Sequence, residues 1–119
     1  MSEKMTKIEI ITRPSKFEAL KQELAKIEVS GITVTNALGC GLQKGFTENY
    51  RGVRREINMI ERIKVEIVVC KVPVQSVIDT ARKVCNTGQP GDGKIFIYEI
   101  AKAIKIRTGD QGCAALQND

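Results

Sequence analysis

Thr87-Gly-Gln-Pro-Gly-Asp-Gly-Lys94 is a run of turn-forming residues, and what flanks it decides the fold. From Gly88 to Lys94 it fits the opening of the P-loop pattern G-x-x-x-x-G-K-[ST], but the next residue is Ile95, which has no hydroxyl to hold magnesium. The order of elements is also reversed. A P-loop leads from a strand into a helix whose N-terminus faces the phosphates. Here a helical pattern comes first: Pro73 opens it, and Val74, Val77, Ile78, Ala81, Val84 and Cys85 share one face. Lys94-Ile-Phe-Ile-Tyr-Glu-Ile100 then reads as a strand. The run is therefore a helix-to-strand loop. Its glycines let backbone N–H groups turn toward one point and form an anion-binding concavity, and Lys94 adds a point charge. An ordinary connection of this kind also carries Gly and Asp, so composition leaves both readings open.

Upstream, Ile63-Lys-Val-Glu-Ile-Val-Val69 alternates cleanly as a strand. Ile32 to Leu38 is β-branched and reads as another, and Lys7 to Ile11 as a third. Between these last two, Ser15 and Glu18 form a capping-box pattern, and Phe17, Leu20, Leu24 and Ile27 recur at helical spacing to about Glu28. The order is β-α-β-β-α-β, the ferredoxin-like split βαβ arrangement of an α+β domain. Gly39-Cys-Gly-Leu-Gln-Lys-Gly45 is glycine-rich, and Phe46 to Glu56 shows no apolar period. A long exposed loop is predicted there, and loops of that length in a small domain are commonly functional. Two helices cover one face of a four-stranded sheet. The apolar residues on the other face predict cover by a second copy of the chain.

The length of 119 residues suits one domain. No apolar run approaches the ~18 residues of a membrane span, and the first residues lack a signal-peptide core, so a cytoplasmic protein is expected. Histidine and tryptophan are absent, aromatics are 4% and the net charge is +5. The commonest general base is therefore missing, and so are the stacking residues of nucleic-acid modules. Anionic ligands or partners are favoured, and neither nucleic acid nor membrane insertion is expected. Cys40, Cys70, Cys85 and Cys113 form no C-x-x-C pair, so they read as small buried hydrophobes in a reducing compartment. Lys105 and Arg107, at i and i+2 of a segment expected to be extended, would face one way and suit clamping a polyphosphate.

These segments together resemble the PII nitrogen signal-transduction family. Thr87 to Phe96 resembles its C-terminal glycine motif, Gly41 to Gly45 the start of its T-loop, Tyr50-Arg-Gly52 the tip of that loop, and Ile106-Arg-Thr-Gly109 its C-loop. The likeness runs from about Lys7 to Leu116. It implies one PII-type domain over residues 1–119, a T-loop over about 41–57, a C-terminal loop over about 105–119, and a compact homotrimer with nucleotide clefts between subunits. By the same resemblance, ATP or ADP meets Thr33, Gly39, Val68, Gly91, Asp92, Gly93 and Lys94, with Lys105 and Arg107 arriving from a neighbouring subunit. Mg²⁺ is ligated by Gln43, together with ATP and 2-oxoglutarate. The 2-oxoglutarate site comprises Gly41, Gln43, Lys44, Arg62 and Lys94. Tyr50, Arg51, Arg54 and Arg55 face partner proteins: an ammonium transporter first, then enzymes of nitrogen assimilation.

Several positions depart from the family's habit. The tyrosine often nucleotidylated is Arg55, and the serine phosphorylated in some members is Val53, so neither modification is expected. Arg54 replaces an acidic residue, which makes the loop tip basic. Arg62 and Lys105 exchange the usual lysine and arginine, keeping charge while changing donor geometry. The implied protein is a non-catalytic sensor. The main alternative is a nucleotide-hydrolysing or nucleotidyl-transferring enzyme, which the missing histidine and the missing hydroxyl after Lys94 disfavour.

Overall fold

The structure is a computed structural model that describes residues 4–42 and 57–117. Its elements are β1 (Met5–Thr12), a 3-10 turn (Pro14–Lys16), α1 (Phe17–Lys26), β2 (Thr33–Leu42), β3 (Ile57–Val69), α2 (Val74–Cys85), β4 (Lys94–Ile100) and a second 3-10 turn (Gly112–Leu116). The strands form one sheet in the order β2-β3-β1-β4, and every neighbouring pair is antiparallel. This is the βαββαβ arrangement expected from the sequence.

Alternation in the strands decides which face the helices cover. Ile8 and Ile10 of β1, with Ile63, Val65 and Ile67 of β3, point to one side. Against them pack Leu20 and Leu24 of α1 and Val77, Ala81 and Cys85 of α2. Burying each large aliphatic side chain contributes roughly 1.5–3 kcal/mol, so this layer dominates the fold's stability. The helices do not reach across β4. Phe96 and Tyr98 on its open face are 42% and 44% exposed, and Ile97 on its helical face is 46% exposed. An outer strand with apolar residues exposed on both faces is what burial against another copy would resolve.

Local readings differ from the structure in five places. Ser15 lies inside the 3-10 turn, and α1 starts after Lys16 without a side-chain cap, so the Ser15–Glu18 box does not form. Pro14 fixes the backbone there and directs the chain into the turn. Helix α1 ends at Lys26, two residues short of Glu28. The N–H of Val29 bonds to the carbonyl of Leu24, that of Glu28 bonds to Ala25, and Glu28 takes the left-handed φ of 70°. This is a Schellman closure with Val29 packed into the core.

Third, β2 continues through Leu42 and β3 begins at Ile57, with Gly39↔Ile60, Cys40↔Met59 and Gly41↔Asn58 paired. Both ends of the stretch expected as loop are thus strand, because cross-strand hydrogen bonds order glycines that carry no periodic signal of their own. Fourth, Lys105 and Arg107 do not lie on an extended run. Ile104 bridges Gln111, residues 106–108 turn, and Lys105 N–H bonds to the carbonyl of Asp110 at 2.9 Å. Fifth, the cysteines are not uniformly buried thiols. Cys70 and Cys113 are joined in a disulfide, Cys40 is exposed, and Cys85 alone fits the small-hydrophobe reading. Burial raises the Cys85 thiol above its ordinary pKa.

Candidate functional site

The loop after α2 is built around one carboxylate. Asp92 accepts hydrogen bonds from the Thr87 hydroxyl at 2.5 Å, the Thr87 N–H at 2.7 Å and the Gly88 N–H at 3.1 Å. Arg13, at the end of β1, donates to the same carboxylate at 2.5 Å and to the carbonyl of Pro90 at 2.8 Å. The buried Thr12 hydroxyl donates to the carbonyl of Asp92 at 2.8 Å. Asp92 therefore shapes the loop from within, and its carboxylate is directed at the loop's own donors. Those donors, the Thr87 hydroxyl foremost, hold the carboxyl well below its ordinary value of 3.8.

A folded-state pKa below the unfolded value adds stability above the unfolded value and loses it as pH falls. Asp92→Asn is expected to lower the melting temperature by a constant amount above about pH 5. Below about pH 4 the gap to the wild type should close, as the wild-type carboxyl protonates in the unfolded chain. Thermal melts of both proteins across that range check this, and a gap independent of pH would contradict it.

The loop glycines adopt backbone angles that other residues resist. Gly88, Gly91 and Gly93 have φ of 82°, 97° and 112°. A Cβ on Gly93 would sit 1.9 Å from the carbonyl oxygen of Ile11. A Cβ on Gly91 would sit 2.9 Å from the guanidinium of Arg13 and 3.4 Å from that of Arg62. Arg62 thus reaches from β3 to the glycine loop. A Cβ on Gly39 of β2 would lie 3.6 Å from the Arg62 side chain, which adds Gly39 to the group. On the open face, Lys64, Ile11 and Lys94 are aligned across β3, β1 and β4. Arg13, Arg62, Lys64, Lys94 and the glycine loop therefore line one end of the sheet. That end is suited to an anion with several charged oxygens.

Thr33, Val68, Lys105 and Arg107 lie apart from this group. Thr33 and Val68 line a separate cavity of about 600 Å³ with Lys7, Glu66, Lys71, Cys70, Cys113 and Leu116, and no residue of the glycine loop borders it. In its wall the ammonium of Lys7 lies 2.9 Å from Glu66 and 4.7 Å from the centre of the Tyr98 ring. The hydrogen bond from Lys7 holds the Glu66 carboxyl below its ordinary pKa. Lys105 and Arg107 follow the far end of β4. Lys94 and Ile100 are separated by the strand's length, roughly 20 Å at 3.3–3.4 Å per residue. Lys105 and Arg107 leave the sheet at the end opposite the glycine loop. Gly41 is on β2 opposite Asn58. Gln43, Lys44, Tyr50, Arg51, Arg54 and Arg55 lie outside the described residues. Among the described residues no cluster of His, Cys, Asp or Glu forms a metal site, and no helix is long and apolar enough to cross a membrane.

Sequence reasoning missed Arg13, whose guanidinium donates to both Asp92 and Pro90 of the loop. A single cation before Pro14 carries no pattern. Only the pairing of β1 with β4 brings it beside Asp92.

A family model described as nitrogen regulatory protein P-II matches residues 5–110. The chain is 60% identical over 116 residues to a nitrogen regulatory PII-like protein of Bacillus subtilis, covering 98% of this chain and 100% of that one. It is 41% identical over 112 residues to nitrogen regulatory protein P-II 1 of Escherichia coli, covering 94% and 100%. Among solved structures, the fold is similar to a B. subtilis GlnK–ATP complex, with a TM-score of 0.86, 60% identity and coverage of 95% and 98%. It is also similar to an Arabidopsis thaliana PII bound to citrate, with a TM-score of 0.77, 32% identity and coverage of 100% and 94%.

Proposed function

This chain belongs to the P-II family of nitrogen regulatory proteins, and on that footing we propose that it senses adenine nucleotides and 2-oxoglutarate and passes their levels to partner proteins. The observation that carries the proposal is the convergence of Arg13, Arg62, Gly39 and the Gly91–Lys94 loop at one end of the sheet. Turned backbone N–H groups beside several fixed cations suit the phosphates of ATP or ADP. The ATP complex of the B. subtilis relative supports this reading.

Lys105 and Arg107 leave the sheet at its other end, so they serve a cleft best when it lies between subunits. Thr33 and Val68 then border the base-binding part of such a cleft. The apolar residues exposed on both faces of β4 support the same trimeric assembly.

The described part of the site is cationic and offers Asp92 only to its own loop. It fits Mg²⁺ as a partner of ATP rather than as an independently held ion. When bound, Mg²⁺ offsets the repulsion between triphosphate and dicarboxylate. Gln43 supplies an amide oxygen to it, and Gly41, Lys44, Arg62 and Lys94 complete the 2-oxoglutarate site. The citrate-bound plant relative supports a small polycarboxylate as the second ligand.

The output is the T-loop, continuous with the paired arms of β2 and β3. Ligands that bind one loop arrangement better than another shift its population. The basic tip, with Tyr50, Arg51, Arg54 and Arg55, suits a carbonyl-lined or acidic surface, and an ammonium transporter, met at the cytoplasmic mouth of its pore, is the first partner. Co-purification with the transporter is expected to differ between ADP and Mg-ATP plus 2-oxoglutarate. Gln43→Ala should abolish that difference while calorimetry still shows ATP binding. Equal recovery of the transporter with wild type in both conditions would count against the switch.

A further inference from the structure

The tail after β4 carries the two cations expected at a neighbouring cleft, and of residues 101–117 Cys113 alone is buried. Residues 103–112 form a small hairpin closed by the Ile104–Gln111 bridge and by the N–H of Gly112 bonding to the carbonyl of Ala103 at 3.1 Å. Lys105 and Arg107 ride on its turn. The following 3-10 turn buries a single residue, Cys113. That residue is bonded to Cys70, immediately after β3, with the Cα atoms 5.9 Å apart and a sequence separation of 43. The spacing is within the ordinary disulfide range. Both cysteines border the cavity that Thr33 and Val68 line. Cys70 is half-buried, whereas Cys113 is buried.

We propose that Cys70 and Cys113 form a reversible redox latch that sets how firmly the C-terminal hairpin is held, and through it how tightly the protein binds adenine nucleotide. The coupling to nucleotide rests on the function proposed above. The latching itself does not.

The chemistry is thiol–disulfide exchange with a small disulfide of the glutathione type. The Cys70 thiolate attacks one sulfur of that disulfide and expels a thiol. Cys113, having lost its proton, then displaces the second thiol, and the Cys70–Cys113 bond forms. Two protons and two electrons leave the protein pair, and the oxidant becomes two thiols. A dithiol reductant reverses both steps. In a reducing cytoplasm a disulfide is commonly transient or sensing, which fits a bond placed beside a functional hairpin instead of across the core. Closing it removes freedom from the hairpin before ligand arrives, so less order is lost on binding.

Three measurements on the full-length protein test this. Mass analysis after treatment with oxidised glutathione should show the Cys70–Cys113 peptide pair joined, and dithiothreitol should separate it. Hydrogen exchange over 103–117 should be slower in the oxidised form. The ATP dissociation constant should be about 3- to 10-fold lower when oxidised, as expected for pre-ordering one or two long side chains. Cys113→Ser and Cys70→Ser should hold the protein at the reduced-state affinity whatever the oxidant. Cys40→Ser, which removes the exposed thiol, should leave the response intact.

Failure of the pair to join, or exchange over 103–117 that ignores redox state, would overturn the latch. Equal ATP affinity in both states, with the pair joined, would overturn its coupling to the nucleotide. No ATP binding in either state would instead defeat the nucleotide reading, and the exchange measurement then decides the latch alone.

Discussion

Gly93→Ala is expected to lower the melting temperature by about 10–20 °C and to abolish ATP binding in the protein that remains folded. The added methyl would lie 1.9 Å from the Ile11 carbonyl oxygen and 3.0 Å from the Thr12 Cα, both backbone atoms of a paired strand. Neither moves without breaking the β1 ladder. The φ of 112° also disfavours any side chain. Backbone strain of roughly 1–3 kcal/mol and overpacking of roughly 1–3 kcal/mol together make about 2–6 kcal/mol. For a domain of this size each kcal/mol moves the midpoint by several degrees. The alternative response, displacement of the loop, turns its N–H groups away and removes the anion site. Gly88→Ala is the control. It has a similar positive φ but nothing within 4 Å of the added carbon, so only about 1–2 kcal/mol of strain is expected. Calorimetric melts and ATP titrations of both variants check this. Equal behaviour of the two would mean the close approach of Gly93 to β1 has no consequence.

Lys94→Ala should weaken ATP binding on the order of 10- to 100-fold while leaving the melting temperature nearly unchanged. Lys94 is the first residue of β4, exposed, and aligned with Ile11 and Lys64 across the sheet. It contributes nothing to the core, so truncation removes charge without packing. A hydrogen bond to a charged group contributes about 1.5–3 kcal/mol, which converts to that range of affinity. Lys94→Arg should recover part of the loss, since charge is kept while the compact ammonium becomes a planar fork. Titration calorimetry with ATP is the check. Unchanged affinity in Lys94→Ala would move the nucleotide away from this loop.

The sequence made the frame legible where a short pattern carries it. Alternation over Ile63–Val69 and Lys94–Ile100, and the helical spacing of Leu20, Leu24, Val77 and Ala81, fixed which faces are buried. The loop at 87–94 was legible too, because φ of 82–112° demands glycine at its bends. What stayed hidden depends on partners distant in the chain. Arg13 meets Asp92 across 79 residues. The paired arms at 39–42 and 57–60 are ordered by each other rather than by their own propensity. The turn at 106–108 is set by the Ile104–Gln111 bridge, which overrode the extended reading of Lys105 and Arg107. The cysteine pairing was also out of reach, since connectivity does not follow from cysteine positions. The convergence of Gly39, Arg62 and Gly91 was anticipated only through resemblance. The register Ala37↔Arg62 explains part of it physically, by placing Arg62 on β2's neighbour and on the sheet's open face.

The most direct test is a nuclear magnetic resonance titration that follows the backbone amides of Gly91, Gly93 and Lys94 as ATP is added. These three should shift first and furthest and saturate together, while amides on the solvent side of α1 stay still. If ATP leaves them unmoved, or binds while shifting residues elsewhere, the glycine loop is not a phosphate cradle and the sensor account loses its basis.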